Sequence, residues 1–194
     1  MNNINIIIAG VGGQGTVLAS RVLAQAALNA GFSAKTSETI GMAQREGSVQ
    51  SHVRIGAANC GPLIGKQQAD ILLGFEPAEA QRACKLLKTS GFGLINTHPI
   101  FPVTVALGGS AYPLEQVRAY LQNLPIQIRF IDGFKLATAA GSFKTVNAVM
   151  LGALAATGRL PVSKEQVREA LLELVPDRFR GINERAFELG SRPC

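Results

Sequence analysis

Gly10-Val11-Gly12-Gly13-Gln14-Gly15 sets glycines in the spacing G-x-G-x-x-G, between an apolar run at residues 4–9 and a helix-forming stretch at residues 16–30. Residues without a Cβ permit a tight turn, bring backbone close to a ligand and let a helix pack closely on a strand. The helix start behind such a loop directs free N–H groups and a partial positive charge at its occupant. The chemistry on offer at Gly10, Gly12, Gly13, Gln14 and Gly15 is the holding of a phosphate or similar anion; the alternative is a purely structural turn. ATP hydrolysis is not supported, because Thr16 and Val17 follow Gly15 where G-x-x-x-x-G-K-[ST] requires lysine and a hydroxyl.

A second candidate segment spans residues 36–56. Residues 38–47 read as a loop of small and polar residues, and residues 49–55 alternate as a half-exposed strand. Val49, Ser51, Val53 and Ile55 share one face; Gln50, His52 and Arg54 share the polar one. Arg45 and Arg54 are candidate partners for a phosphate or carboxylate. His52 is a candidate proton donor or anion ligand, with a solvated surface histidine as the alternative. On the carboxyl side of a sheet this loop suits a binding crevice at a topological switch point; a solvated connection is the other reading.

Other chemistries find little support. A dinucleotide enzyme places an acidic residue about 20 residues past the glycine loop; here Glu38, 28 residues past Gly10, is the one candidate, and Lys35 the one cation for a 2′-phosphate. Two histidines and no G-x-S-x-G elbow leave no hydrolase triad, and Cys60, Cys84 and Cys194 cannot supply the four thiolates of an iron–sulfur cluster. The net charge of +6 is scattered, with no basic run and no Trp, which argues against nucleic acid and suits an acidic partner or an anionic cofactor. With no signal-peptide pattern and no membrane-length apolar stretch, the chain reads as a soluble cytoplasmic protein that engages no membrane.

These segments need an α/β frame. Strands are predicted at residues 4–9, 32–37, 49–55, 69–75, 92–97, 103–107 and 126–131, with helices at 16–30, 77–87 and 113–123 between them. Residues 134–140, 145–157, 163–175 and 178–189 read as helices, Ser163 and Gln166 forming a capping box. The predicted fold is α/β, a three-layer Rossmann-like domain over residues 1–194 with a mostly parallel sheet and a helical C-terminal third. Residues 145–157 carry almost no polar side chain, and two readings stay open: a buried core helix or a subunit interface.

Gly10-Val11-Gly12-Gly13-Gln14-Gly15, taken with Gly41-Met42-Ala43-Gln44-Arg45 and Gly47-Ser48-Val49-Gln50-Ser51-His52-Val53-Arg54, resembles the γ-type domain of the 2-oxoacid:ferredoxin oxidoreductases, the indolepyruvate-type β subunits above all. Glu46 departs from the pattern, standing where that family often has a glycine. The resemblance implies a subunit of a complex that converts an aryl 2-oxoacid and coenzyme A to acyl-CoA and carbon dioxide and reduces ferredoxin. It places thiamine diphosphate and [4Fe-4S] clusters on a larger partner subunit, leaving this chain inactive alone. Self-association of the isolated chain, through the apolar surface the partner would cover, is a further expectation.

Overall fold

A computed structural model describes residues 3–41, 47–56, 59–102, 105, 108 and 111–192. Its strands are β1 (Ile4–Val11), β2 (Ala34–Ile40), β3 (Ser48–Ile55), β4 (Ala69–Gly74), β5 (Leu87–Asn96) and β6 (Gln127–Ile131). They form a six-stranded sheet in the order β2-β3-β1-β4-β5-β6. The pairs β1–β4, β4–β5 and β5–β6 are parallel, whereas β3 is antiparallel to both β1 and β2. The sheet is thus mostly parallel, with β3 alone reversed.

The unbroken apolar run of β1 follows from its central place. Ile6 and Ile8 enter one core while Ile7 and Ala9 enter the other, so both faces require apolar side chains. Helices α1 (Thr16–Asn29), α4 (Gly133–Ala140), α5 (Val146–Ala155), α6 (Lys164–Leu174) and α7 (Asp177–Gly190) cover the first face. The shorter α2 (Pro77–Ala83) and α3 (Leu114–Gln122) cover the second. The result is the three-layer α/β arrangement with a helical final third.

Several boundaries differ from the sequence reading for tertiary reasons. The Phe32 N–H donates to the Ala27 carbonyl at 2.9 Å across Gly31, whose φ is +81°, so Phe32 closes α1 and the strand starts at Ala34. At its other end β2 continues through Glu38, Thr39 and Ile40, where composition predicts loop, because these residues pair with Ser51, Gln50 and Val49. The helix predicted to residue 87 stops at Ala83 and passes through a 3₁₀ turn, since Leu87 is already paired with Ala69 in the sheet. The strand predicted at 103–107 falls mostly outside the described residues.

Every residue of α5 is buried. A Cβ placed on Gly152 would lie 2.1 Å from the Phe187 carbonyl oxygen, and one on Gly190 would lie 2.0 Å from that of Val149. α5 and α7 therefore meet backbone to backbone, and of the two readings of this segment the core helix holds. The capping box of α6 is formed as predicted: the Gln166 N–H donates to Ser163 Oγ at 3.2 Å and the Ser163 N–H to Gln166 Oε1 at 2.8 Å. Among the described residues no helix is long and apolar enough to cross a membrane.

Candidate functional site

The glycine loop closes the carboxyl end of β1 and is clamped by its own glutamine. Gln14 is buried; its Oε1 accepts the Val11 N–H at 2.9 Å and its Nε2 donates to the Phe75 carbonyl at 3.0 Å. Gln14 thus shapes the loop, with both ends of its amide engaged by backbone. Gly10 is required by space, since a Cβ there would lie 2.7 Å from Gln14 Oε1 and 2.9 Å from Phe75 Cβ. Gly13 (φ +92°) faces open space and Gly15 (φ +78°) leads into α1 against Asn147. No side chain caps α1, and its first turn holds no acidic residue, so the helix presents N–H groups and partial positive charge.

The second segment meets this loop. The Gly12 N–H donates to the Gly47 carbonyl at 2.9 Å, and the Gly41 N–H donates to the Ser48 carbonyl at 2.8 Å. Segments more than thirty residues apart in sequence therefore share the carboxyl end of β1. Arg45 and Glu46 lie outside the described residues, as do Met42, Ala43 and Gln44.

His52 and Arg54 are not brought to that crevice. They point to the face opposite α1, where His52 is enclosed by the backbone at Ile64 while Gln50 and Arg54 stay half-buried, as the alternation predicts. His52 is buried; its Nδ1 accepts the Ile64 N–H at 3.0 Å. With Nδ1 accepting, Nε2 carries the proton of the neutral ring; it lies 3.1 Å from Gln50 Nε2. Arg54 Nη2 donates to the Leu63 carbonyl at 2.6 Å. In register it pairs with Asn5, five residues from Gly10 along β1, a distance of about 17 Å at strand rise. Both side chains hold a loop on the sheet.

Burial, and then the Arg54 guanidinium, hold the His52 pKa below its usual 6.5. The unfolded chain binds this proton more readily, so the contribution of His52 is fully present above pH 6.5 and is lost as pH falls towards the lowered folded value. In His52→Asn, an amide oxygen replaces Nδ1 as acceptor and cannot titrate. Urea unfolding at a series of pH values should show a flatter profile below pH 6.5 in this variant than in the wild type; identical slopes would refute the assignment.

The residues considered for dinucleotide binding are also displaced. β3 intervenes between β1 and β2, so Glu38 sits two strand spacings, about 10 Å, from β1 rather than on the adjoining strand. It accepts from Ser20 Oγ at 3.1 Å. Lys35 lies at the opposite end of β2, donating to the Cys60 carbonyl at 2.9 Å.

Sequence reasoning missed several residues that build the crevice. Asn96, at the end of β5, donates to the same Phe75 carbonyl as Gln14, at 3.0 Å, and accepts the Gly133 N–H at 2.9 Å. It thereby joins the ends of β4 and β5 to the start of α4. Beside it a cavity of about 230 Å³ is lined by Gly13, Gln14, His98, Phe134, Phe143 and Lys144, among others. On the far side of the sheet, Glu76 caps α2 by accepting the Glu79 N–H at 2.9 Å and also accepts the Tyr112 hydroxyl. Burial raises the Glu76 pKa, against the pull of these hydrogen bonds, and burial with the Glu76 contact raises that of Tyr112. Glu79 accepts from Ser48 Oγ at 2.7 Å and pairs with Arg82, tying α2 to the start of β3. A carboxylate at the end of a strand, two residues after a glycine, was the available clue to Glu76.

The chain is an open α/β sheet protein with a glycine loop, an uncapped helix start and a cavity at the carboxyl end of its strands, the place where folds of this class can hold an anion. Residues 5–192 match the family described as pyruvate ferredoxin/flavodoxin oxidoreductase. The chain belongs to that family. It is 41% identical over 192 residues to indolepyruvate oxidoreductase subunit IorB of Thermococcus kodakarensis, covering 98% of this chain and 95% of that protein. It is 40% identical over 193 residues to the subunit of the same name from Pyrococcus horikoshii, again covering 98% and 95%. The solved gamma subunit of keto/oxoacid ferredoxin oxidoreductase from Geobacter sulfurreducens shares the fold with a TM-score of 0.72 at 27% identity, covering 97% of this chain and 96% of that one. These similarities agree with the γ-type resemblance carried by the two glycine-bearing segments.

Proposed function

We propose that this chain is a non-catalytic but obligatory subunit of a thiamine diphosphate-dependent arylpyruvate:ferredoxin oxidoreductase, with indolepyruvate the expected 2-oxoacid. The overall reaction takes the oxoacid and coenzyme A to acyl-CoA and carbon dioxide and passes electrons to ferredoxin. Thiamine diphosphate, held by the larger partner subunit, supplies the electron sink for decarboxylation. The iron–sulfur clusters are assigned to that partner too. The described residues do not fit one: Cys60 is exposed, burial raises the Cys84 pKa to about 11, and no three His, Cys, Asp or Glu side chains come together.

The observation that carries this reading is the hydrogen bond from the Gly12 N–H to the Gly47 carbonyl, which joins the two family-like segments in one crevice. In the proposed complex this crevice faces the partner, and the glycine loop and the 41–47 loop orient the phosphates of coenzyme A. Arg45 is assigned a phosphate or carboxylate contact there. His52 and Arg54 support the surrounding sheet.

The test is to produce the chain with its larger partner under anoxic conditions and to follow arylpyruvate- and coenzyme A-dependent reduction of a viologen dye. Activity should require both chains, and Arg45→Ala should raise the apparent KM for coenzyme A about tenfold, roughly the loss of one charge-assisted contact. Full activity of the partner alone, or NAD(P)H turnover by this chain alone, would overturn the assignment.

A further inference from the structure

Strand β6 ends the sheet on the side away from β2, so one of its edges has no strand beside it among the described residues. The Ile131 carbonyl accepts the Thr97 N–H at 2.9 Å, so the backbone groups of Ile131 face β5. N–H and C=O directions alternate from residue to residue along a strand, and those of Ile128 and Phe130 therefore face outward. The side chains alternate as well. Gln127 and Arg129 are exposed on the first face, while Ile128 and Phe130 are half-buried against the core of the second.

The first face of this edge carries two guanidiniums. Arg129 Cζ lies 5.9 Å from the centroid of the Phe92 ring, and Arg159 Cζ lies 4.5 Å from it. Phe92 is buried and pairs in register with Gln127, which sets both cations beside β6. Arg159 belongs to a separate element, the turn after α5. Gly158, at φ +66°, shapes that turn; the Arg159 N–H donates to Thr157 Oγ1 at 3.3 Å, and the buried Leu160 pins the chain behind it. Arg159 Nη2 donates to Gln127 Oε1, holding the guanidinium against the strand. Both arginines are exposed, and neither forms an ion pair with a described residue. Asp132, next along the chain, turns its Oδ1 to the Lys135 N–H at the start of α4. Two like charges over one ring repel, and a carboxylate between them relieves the repulsion. A charge on an edge strand also discourages pairing with a second copy, and Arg129 alone would serve that end. Antiparallel pairing of two β6 strands would bring four guanidiniums together, so the edge rejects its own copy and suits an acidic strand.

We propose that the β6 edge receives an extended segment of a partner protein in which acidic and apolar residues alternate. Its backbone pairs with Ile128 and Phe130. Its acidic side chains reach Arg129 and Arg159 on the first face, and its apolar ones continue the surface of Ile128 and Phe130 on the second. The net charge of +6 favours the encounter. β6 lies three strand spacings, about 14 Å, from β1, so this surface is separate from the glycine-loop crevice and does not depend on the function proposed above.

The probe is a short capped peptide of alternating glutamate and valine, titrated into the full chain while amide hydrogen exchange is followed by NMR. Binding should be saturable and should slow exchange at Ile128 and Phe130. A lysine–valine peptide should not bind. The glutamate–valine peptide methylated at alternate backbone nitrogens should bind about tenfold more weakly, because it cannot complete the ladder. Arg129→Gln and Arg159→Gln should each weaken the acidic peptide about tenfold, the loss of one charge-assisted contact. The double variant Arg129→Glu/Arg159→Glu should reverse the preference and take the lysine peptide, which loss of fold cannot imitate. Both side chains are exposed, so unchanged thermal midpoints would show that the variants fold. No saturable binding, equal binding of the two charges, indifference to methylation, or binding that leaves exchange at β6 unchanged would overturn the proposal. So would a concentration-dependent dimer that protects the same two amides, which would give the edge to a second copy.

Discussion

Gly152→Ala should destabilise the chain by about 3 kcal/mol or more, read as a lowered urea midpoint with an unchanged slope. The added methyl group would stand 2.1 Å from the Phe187 carbonyl oxygen and 2.9 Å from its carbon. Both are backbone atoms of a packed helix, so no rotamer change relieves the clash; α5 and α7 must move apart. Alanine's helix preference over glycine, worth about 1 kcal/mol, opposes this cost and is the smaller effect. Gly181→Ala supplies a matched control within α7. Gly181 is exposed, and a Cβ there would meet nothing closer than Arg185 Nη1 at 4.0 Å. That substitution should stabilise by about 0.5–1 kcal/mol. Losses of equal size at the two positions would show that helix contact is not what glycine serves at 152.

Gln14→Ala should cost about 2–4 kcal/mol and weaken any ligand held by the glycine loop. The substitution leaves the buried Val11 N–H without its acceptor and removes one of two amide donors from the Phe75 carbonyl. An unsatisfied buried donor costs more than the average hydrogen bond contributes, because the unfolded chain offers it water. Asn96 remains on the Phe75 carbonyl, so the damage falls mainly on the loop. Gly13→Ala provides the contrast. No atom lies within 4 Å of the added group, leaving only the strain of φ +92°, about 1–2 kcal/mol. Chemical denaturation of the two variants should rank Gln14→Ala as the more severe. The reverse order would mean that the loop is shaped by its glycines and not by the amide clamp.

The parts of this protein legible in its sequence are those whose cause is local. Strand β1 announces itself by an apolar run, α1 by its length and its glycine start, and α6 by a capping box whose partners are three residues apart. Misread parts were set by distant partners. Gln14 reads as one of the loop's candidate anion-holding residues until its amide is seen on Phe75, 61 residues away. His52 and Arg54 read as a polar, half-exposed face. His52 is enclosed, and Arg54 held half-buried beside it, because Leu63 and Ile64 return over the sheet, their backbone groups bonding to these side chains.

Glycine spacing and apolar periodicity were enough to define an α/β chain with a glycine loop between its first strand and first helix, since each depends on residue type within a few positions. Strand order, the reversal of β3, the enclosure of His52 and the meeting of Gly12 with Gly47 arose from pairing across the sheet. So did the grouping of His98, Phe134, Phe143 and Lys144 around one cavity, which is carried by the ends of β5 and α4 and the turn into α5. Hydrogen bonds and ring contacts act over a few ångströms of space regardless of separation along the chain, and only the folded sheet brings those residues within that range.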